Sequence, residues 1–231
     1  MDLLINGMPI GTFCGASLLD YTIGETSLEN ATFKGINRTN WVLLKSMFGT
    51  RTLTITVIFK GNTLHAAKVN RSKFNAEIFG RSEIYIPDDG FFYDVSCDSL
   101  GDELLVGIGQ RESQIKSTYT LTGIRRGPKR TVTANKNQAF LCESTMPYTD
   151  CKLTLTSTQT VSEYNFGGGA WADIAAGDVL VFDGINCEIT KNGDNYAQYV
   201  TWMNFPTLQS GMNTIETDYD DVKIEYYPTF L

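Results

Sequence analysis

The sequence predicts a mainly β protein in two parts: an N-terminal β domain carrying one helix packed on a sheet, and a C-terminal β-sandwich or jelly roll. Three observations carry this reading. Thr52-Leu53-Thr54-Ile55-Thr56-Val57 alternates polar and apolar residues strictly and continues to Phe59, the period-two pattern of a half-buried strand. In the second half, short strand-like runs recur at roughly 8–12-residue spacing with turn residues between them, as in sandwiches and jelly rolls. Charge then divides the chain: residues 1–130 hold 15 Lys and Arg against 13 Asp and Glu, whereas residues 131–231 hold 4 against 13. The step falls at Arg125-Arg126-Gly127-Pro128-Lys129-Arg130, where Gly-Pro breaks regular structure. The predicted domains are therefore 1–127 and 128–231.

Along the first domain, residues 5–59 read as β throughout. A helix follows over about 63–79, with Leu64, Ala67, Phe74 and Ile78 on one face and Arg71 interrupting the stripe. Asn62 or Thr63 suits its start and Gly80 its end. Glu83 to Pro87, the turn Asp88-Asp89-Gly90 and Phe91 to Cys97 read as a hairpin. Leu104 to Gly109 and Ser117 to Ile124 read as strands around a polar loop, Gln110 to Lys116. In the second domain, strands are expected near 139–143, 152–157, 162–166, 179–182, 187–191, 197–203, 212–217 and 222–227. The last is marked by Val222, Ile224 and Tyr226 alternating with Lys223, Glu225 and Tyr227.

Composition bounds the function. At 42% hydrophobic residues the chain has the makings of a packed core, and no run approaches the ~20 apolar residues of a membrane span. The start lacks the basic and apolar regions of a secretory signal, so synthesis and retention in a cytoplasm until assembly is the expectation. Cys14, Cys97, Cys142, Cys151 and Cys187 form no CxxC pair and read as reduced, mostly buried thiols. Cys142 and Cys151, flanking a turn, are the one pair placed for a disulfide. The sequons at Asn30, Asn37 and Asn70 read as chance matches. An acidic second half argues against a grip on phosphates there.

Residues that could carry chemistry are few. His65 is the single histidine, so any His-dependent triad must use it, and its place in the first turn of a surface helix suits an exposed side chain. Asp218, Asp220 and Asp221 read as a solvated acidic turn, lacking the further ligands of a calcium loop. Gly167-Gly168-Gly169 and Gly107-x-Gly109 neither open a helix nor precede Lys-Ser/Thr, so they read as a flexible connection and a strand end. Trp171, Tyr196, Tyr199 and Trp202 are read as core filling, with a sugar-stacking platform as the alternative. No carboxylate pair stands out for glycoside hydrolysis. No catalytic, cofactor-binding or metal residue is assigned, and no cofactor is expected.

One resemblance ties the second half together. Ala176-Gly177-Asp178-Val179-Leu180-Val181-Phe182-Asp183, Lys191-Asn192-Gly193, Phe205-Pro206-Thr207-Leu208 with Gly211 and Asn213, and Ile224 through Tyr227-Pro228 to Phe230-Leu231 follow in an order that closely resembles the C-terminal domain of distal tail proteins from siphovirus-type phages. The first half resembles the same family more loosely, through Ile5-Asn6-Gly7, the strand from Thr52 to Phe59, a helix, and strands about Asp89-Gly90 and Tyr93. The resemblance implies an N-terminal β-sandwich with a helix that closes into a hexameric ring, in one layer or stacked, and a galectin-like C-terminal sandwich outside it. It implies a non-enzymatic virion protein at the tail tip, assembled in the host cytoplasm, with a lumen for DNA. Asp98, Asp102 and Glu103 would suit a non-basic lumen wall. The implied partners are the tail tube protein, the tail-associated tip protein and receptor-binding or baseplate proteins, without sequence-specific nucleic-acid binding. Some members carry a carbohydrate-binding insertion for which 231 residues leave no room. A module binding host cell-wall carbohydrate is the alternative, and a hydrolase the third reading.

Overall fold

A computed structural model describes residues 3–33, 42–108 and 113–231. The chain divides into two compact units, Met1–Arg126 with Leu231, and Gly127–Phe230. Each has its own hydrophobic core, and the architecture is mainly β, as expected.

In the first unit, seven antiparallel strands form one sheet in the order Met8–Pro9, Leu4–Ile5, Arg81–Ile86, Phe91–Ser99, Ser113–Arg126, Arg51–Gly61, Ala16–Ile23. Leu104–Ile108 also pairs with the beginning of Ser113–Arg126. The strict alternation does what its period demands: Leu53, Ile55, Val57 and Phe59 are buried, while Thr54, Thr56 and Ile58 are only partly covered. The polar stretch expected as a loop up to Lys116 is in part strand, because Ser113, Gln114 and Lys116 pair with Gly61, Lys60 and Ile58 and place Ile115 in the core.

The helix spans Leu64–Ile78, with the Thr63 hydroxyl accepting from the Ala66 N–H at 3.1 Å. Ala67, Phe74 and Ile78 are buried on the sheet, and Phe74 lies 5.3 Å from the Phe59 ring and 4.9 Å from Tyr119. Arg71, which breaks the apolar stripe, is a clasp: Nε donates to Ser117 Oγ at 2.9 Å, Nη1 to Glu103 at 3.1 Å, and Nη2 to the Gly101 carbonyl. A second helix, Ile10–Cys14, lies inside the stretch read as all β. Five residues are too short to show a helical period.

A two-stranded ribbon, Leu28–Phe33 with Val42–Phe48, completes the described part of this unit. It extends the Ala16–Ile23 and Arg51–Gly61 pair beyond the main sheet, through Ser27 N–H to the Thr50 carbonyl at 3.0 Å and Gly49 N–H to the Ser27 carbonyl at 2.8 Å.

The second unit is a sandwich. Its larger sheet runs Arg130–Ala134, Val222–Tyr226, Tyr148–Thr156, Val179–Asp183, Glu188–Lys191, Asp194–Asn195, with Thr207–Gln209 paired to the start of Tyr148–Thr156. The smaller sheet is Val161–Phe166, Gly169–Ile174, Val200–Trp202, and Ala139–Cys142 pairs with Gly211–Thr214. Trp171 and Phe166 from the small sheet meet Leu153, Phe182 and Ile224 from the large one in a single buried cluster. Here the sequence reading needs correction. Gly167-Gly168-Gly169 is no flexible connection: Gly167 (φ 62°) and Gly168 (φ 85°) make a two-residue turn joining Phe166 to its cross-strand partner Gly169, the primed hairpin geometry that needs positive φ. Arg130–Ala134, which begins at the last residue of the supposed linker and lies ahead of the first strand expected beyond it, is a full strand paired with Val222–Tyr226. The expected strand over 197–203 begins as a turn of 3-10 helix at Ala197–Tyr199.

Candidate functional site

The residues with catalytic potential are dispersed. His65 is exposed in the first turn of the helix. The five cysteines are all free thiols, Cys142 and Cys151 included. Burial pushes Cys14 up to about 12 and raises Cys151 further, the reverse of what an activated nucleophile needs. Among the described residues no group of three His, Cys, Asp or Glu could hold a metal. Asn70 donates to the Lys60 carbonyl at 2.8 Å, Asn30 is exposed on its strand, and Asn37 and Gly109 lie outside the described residues. Glu103 is tied to Arg71 and to Lys68 at 3.3 Å, and the Asp98 carboxylate accepts from the Thr122 hydroxyl.

The acidic turn is not solvated as a whole. Asp220 is buried, accepting from Thr158 Oγ1 at 2.6 Å, Thr158 N–H at 3.1 Å and Tyr164 OH at 2.7 Å. The Tyr164 oxygen in return accepts the Asp220 N–H at 3.2 Å. Burial works to raise the Asp220 carboxyl, and the bonds from Thr158 and Tyr164 outweigh it, holding the group below the usual carboxylate range. Asp218 accepts from the Asn165 N–H at 2.6 Å, while Asp221, exposed, accepts from the Lys136 N–H at 3.2 Å. The three carboxylates therefore face separate sets of donors, and the turn is a structural joint.

The motif pieces that carry the resemblance interlock in the same way. Asn192 (φ 55°) and Gly193 (φ 90°) form the turn between Lys191 and Asp194. Asn192 Oδ1 accepts from the Val179 N–H and its Nδ2 donates to Asp178, both at 2.8 Å. Asp178 also accepts from the Ala175 N–H at 2.9 Å, the main cause of its lowered pKa. Lys191 sits 4.3 Å above the Tyr196 ring and donates to the Asp173 carbonyl at 3.0 Å. In Phe205-Pro206-Thr207-Leu208, Leu208 is buried and the Pro206 carbonyl accepts from Cys151 N–H at 3.3 Å. A side chain on Gly184 would strike that carbonyl at 2.5 Å. These are devices for holding a sandwich together.

The aromatics divide in a way the sequence does not show. Trp171 is core, Tyr196 is half-buried, and Tyr199 and Trp202 are exposed at 49% and 36%, which corrects the reading of all four as core. Trp202 packs on Phe205 at 4.6 Å and on Phe182 at 6.3 Å. Next to it Met203 is 90% exposed, on the rim of a groove of about 370 Å3 also lined by Leu153, Gly168, Phe205 and Ile215. The groove holds one carboxylate, Glu216. It can take an apolar group but offers no general acid-base pair.

Comparison with known proteins follows the fold. No curated protein sequence matches the chain. Residues 133–230 match the model of the siphovirus-type tail component, C-terminal domain. Among solved structures, the SPP1 Dit (gp 19.1) protein, described as a paradigm of the hub adsorption apparatus in phages infecting Gram-positive bacteria, superposes with a TM-score of 0.71 at 13% identity, covering 100% of this chain and 99% of that one. A chain of the phage P2 baseplate in its activated conformation with Ca superposes with a TM-score of 0.53 at 7% identity, covering 95% and 92%. The same baseplate with Sr gives 0.51 at 7%, covering 94% and 92%. Residues 133–230 are therefore similar to the C-terminal domain of siphovirus-type tail components, and the whole chain shares the fold of SPP1 Dit.

Proposed function

We propose that the protein is a structural component of a phage tail tip, a distal tail protein whose copies close into a hexameric hub ring. The ring joins the tail tube to the tail-tip and receptor-binding apparatus and leaves a lumen for DNA. The observation that carries this reading is the likeness to SPP1 Dit over the full length of both chains. The placement of the motif residues supports it, since Asp178, Asn192 and Asp220 are spent on internal bonds and leave interfaces, not a pocket, to do the work. The two units correspond in this proposal to a ring-forming domain and an outer, galectin-like sandwich. The partners are the tube protein on one face and tip or baseplate proteins on the other, and the protein resides in the virion after assembly in the host cytoplasm. It is not an enzyme in this reading. Mass photometry and negative-stain microscopy of the purified chain, with and without tube protein, should reveal six-fold rings. Monomers alone at high concentration in both cases would overturn the proposal.

A second reading has one specific observation in its favour, the exposed Trp202 packed on Phe205 of the groove at Met203. Exposed aromatic faces suit stacking on sugars. Saturable binding of host cell-wall polysaccharide, lost in Trp202→Ala with the fold intact, would establish it.

A further inference from the structure

We infer that the groove at Met203 in the second unit receives an extended segment of a partner protein. An apolar residue of that segment enters the groove, a Lys or Arg meets Glu216, and its backbone pairs with the free edge of Val200–Trp202. The inference goes beyond the ring proposed above and does not depend on it.

Met203 is 90% exposed, and no other large apolar side chain among the described residues is as bare. It stands on the rim of the groove with Leu153, Phe205, Pro206 and Ile215, and Trp202 packs on Phe205 beside it. An unbranched, polarisable thioether adapts to whatever covers it, which is why Met recurs at binding surfaces. Gly167 lies against the floor, where a Cβ would come within 2.7 Å of Leu153 Cδ1, while a Cβ on Gly168 would meet nothing within 4 Å, so the mouth is clear there. At about 370 Å3 the groove is at the small end of ligand pockets, which run from about 300 to 1,000 Å3. It suits one or two side chains, not a folded face.

Charge selects the occupant. Glu216 lines the groove and is exposed, and the cations of its own unit are committed elsewhere. Lys136 sits over Tyr219 and donates to the Asp218 carbonyl, Lys152 pairs with Asp183, Lys191 with Asp178 and Lys223 with Glu225. These are the only basic residues from 131 to 231, and Lys129 and Arg130 ahead of them are held by Glu225 and Glu143. The counter-charge for Glu216 therefore comes from outside. Against 13 acidic residues in the same stretch, an acidic segment is repelled and a basic one admitted.

The backbone says what form that segment takes. Val200–Trp202 ends the small sheet and, among the described residues, pairs on one side only, with Gly169–Ile174. Its other side offers a row of unpaired donors and acceptors. Gly169 faces Trp202 in this register, so the next residues out, Gly168 and Met203, place the groove at the end of the same edge. A strand added there pairs along the edge and delivers a side chain to the groove, the mode in which main-chain bonds give affinity and a pocket gives specificity. A sugar would use the Trp202 ring and leave the edge unpaired. The free edge thus favours a peptide.

The test titrates the full-length protein, by fluorescence anisotropy, with short labelled peptides carrying a central Leu, Met or Phe flanked by Lys, and with the same peptides flanked by Glu. Saturable binding of the lysine-flanked peptides alone is expected. Met203→Arg should abolish it, and Glu216→Lys should invert the preference to the glutamate-flanked set. N-methylation of alternate peptide amides should abolish binding for one alternate set and spare the other, because a strand turns only every second amide toward a given neighbour. That arm needs no protein variant, so it decides even where a substitution misfolds. Failure of every peptide to bind, indifference to Glu216→Lys, or equal effects from the two methylated sets overturns the inference. So does binding of cell-wall polysaccharide that is lost in Trp202→Ala while the peptides fail, which gives the face to sugars. Loss of rings in Met203→Arg makes the occupant a second copy and overturns it as well. Rings observed while the peptides fail overturn this inference alone and leave the tail-tip reading standing.

Discussion

At the scale of single residues, Asp220 is the side chain on which most depends. Asp220→Asn keeps the shape and loses the charge that three donors from Thr158 and Tyr164 address. A loss of about 2 kcal/mol is expected, the scale of hydrogen bonds to a charged group, read from chemical denaturation. The pH dependence follows from the direction of the shift. Asp220, like Asp183 and Asp178, has a folded-state pKa below its ordinary value. Its stabilising contribution is therefore complete above the unfolded-state value of about 3.9 and is lost as pH falls through the folded-state value. Melting temperature should drop as the solution is acidified below about pH 4, and the drop should be shallower in Asp220→Asn. The sequence marked Asp218, Asp220 and Asp221 as one acidic turn and could not separate them. Which carboxylate turns inward depends on Tyr164 and Thr158, more than 50 residues away in the chain. The same limit applies to Trp171 and Trp202: residue type reports that a ring wants cover, but only the packing of the two sheets says which ring receives it.

At the scale of elements, turns were the most legible features where their chemistry is local. Asn192-Gly193 and Asp88-Asp89-Gly90 announce themselves because positive φ at Asn192, Gly193 and Gly90 selects those residues. Asn192→Ala removes two side-chain bonds and puts a Cβ-bearing residue without a polar side chain at φ 55°. It should cost about 1–2 kcal/mol, and Asn192→Gly, which accepts the backbone angle but still loses both bonds, should cost less. Comparing the two denaturation midpoints separates strain from hydrogen bonding. The helix was legible from its spacing, but Arg71 was visible only as a break in the stripe. Its guanidinium joins the helix to Ser117, Glu103 and the Gly101 carbonyl, so Arg71→Met should raise amide hydrogen exchange across Gly101 to Leu105 while the helix itself stays protected. Unchanged exchange there would show that the clasp is dispensable. Arg130–Ala134 escaped notice because its flanking charges and Gly-Pro look like a linker, whereas its pairing with Val222–Tyr226 joins residues some 90 positions apart.

At the scale of the whole molecule, the charge step at 125–130 coincides with the place where contacts divide into two units, each with a separate core. Two cores predict two transitions in calorimetry. Asp220→Asn should lower one and Arg71→Met the other, and a single transition moved equally by both would show that the units melt together. Mainly β architecture was readable because alternation is a local signal, but sheet order was not, because neighbours in the sheet come from distant parts of the chain. The strand Val222–Tyr226 shows what this entails. It lies between Arg130–Ala134 and Tyr148–Thr156, so a ribosome delivers the middle of the sheet after both its neighbours. During synthesis those two strands wait with unpaired edges until residue 226 has left the exit tunnel, and a message broken before that point yields a first unit able to fold beside a second that cannot close. The sandwich thus makes translation through Tyr226 a precondition of its own closure.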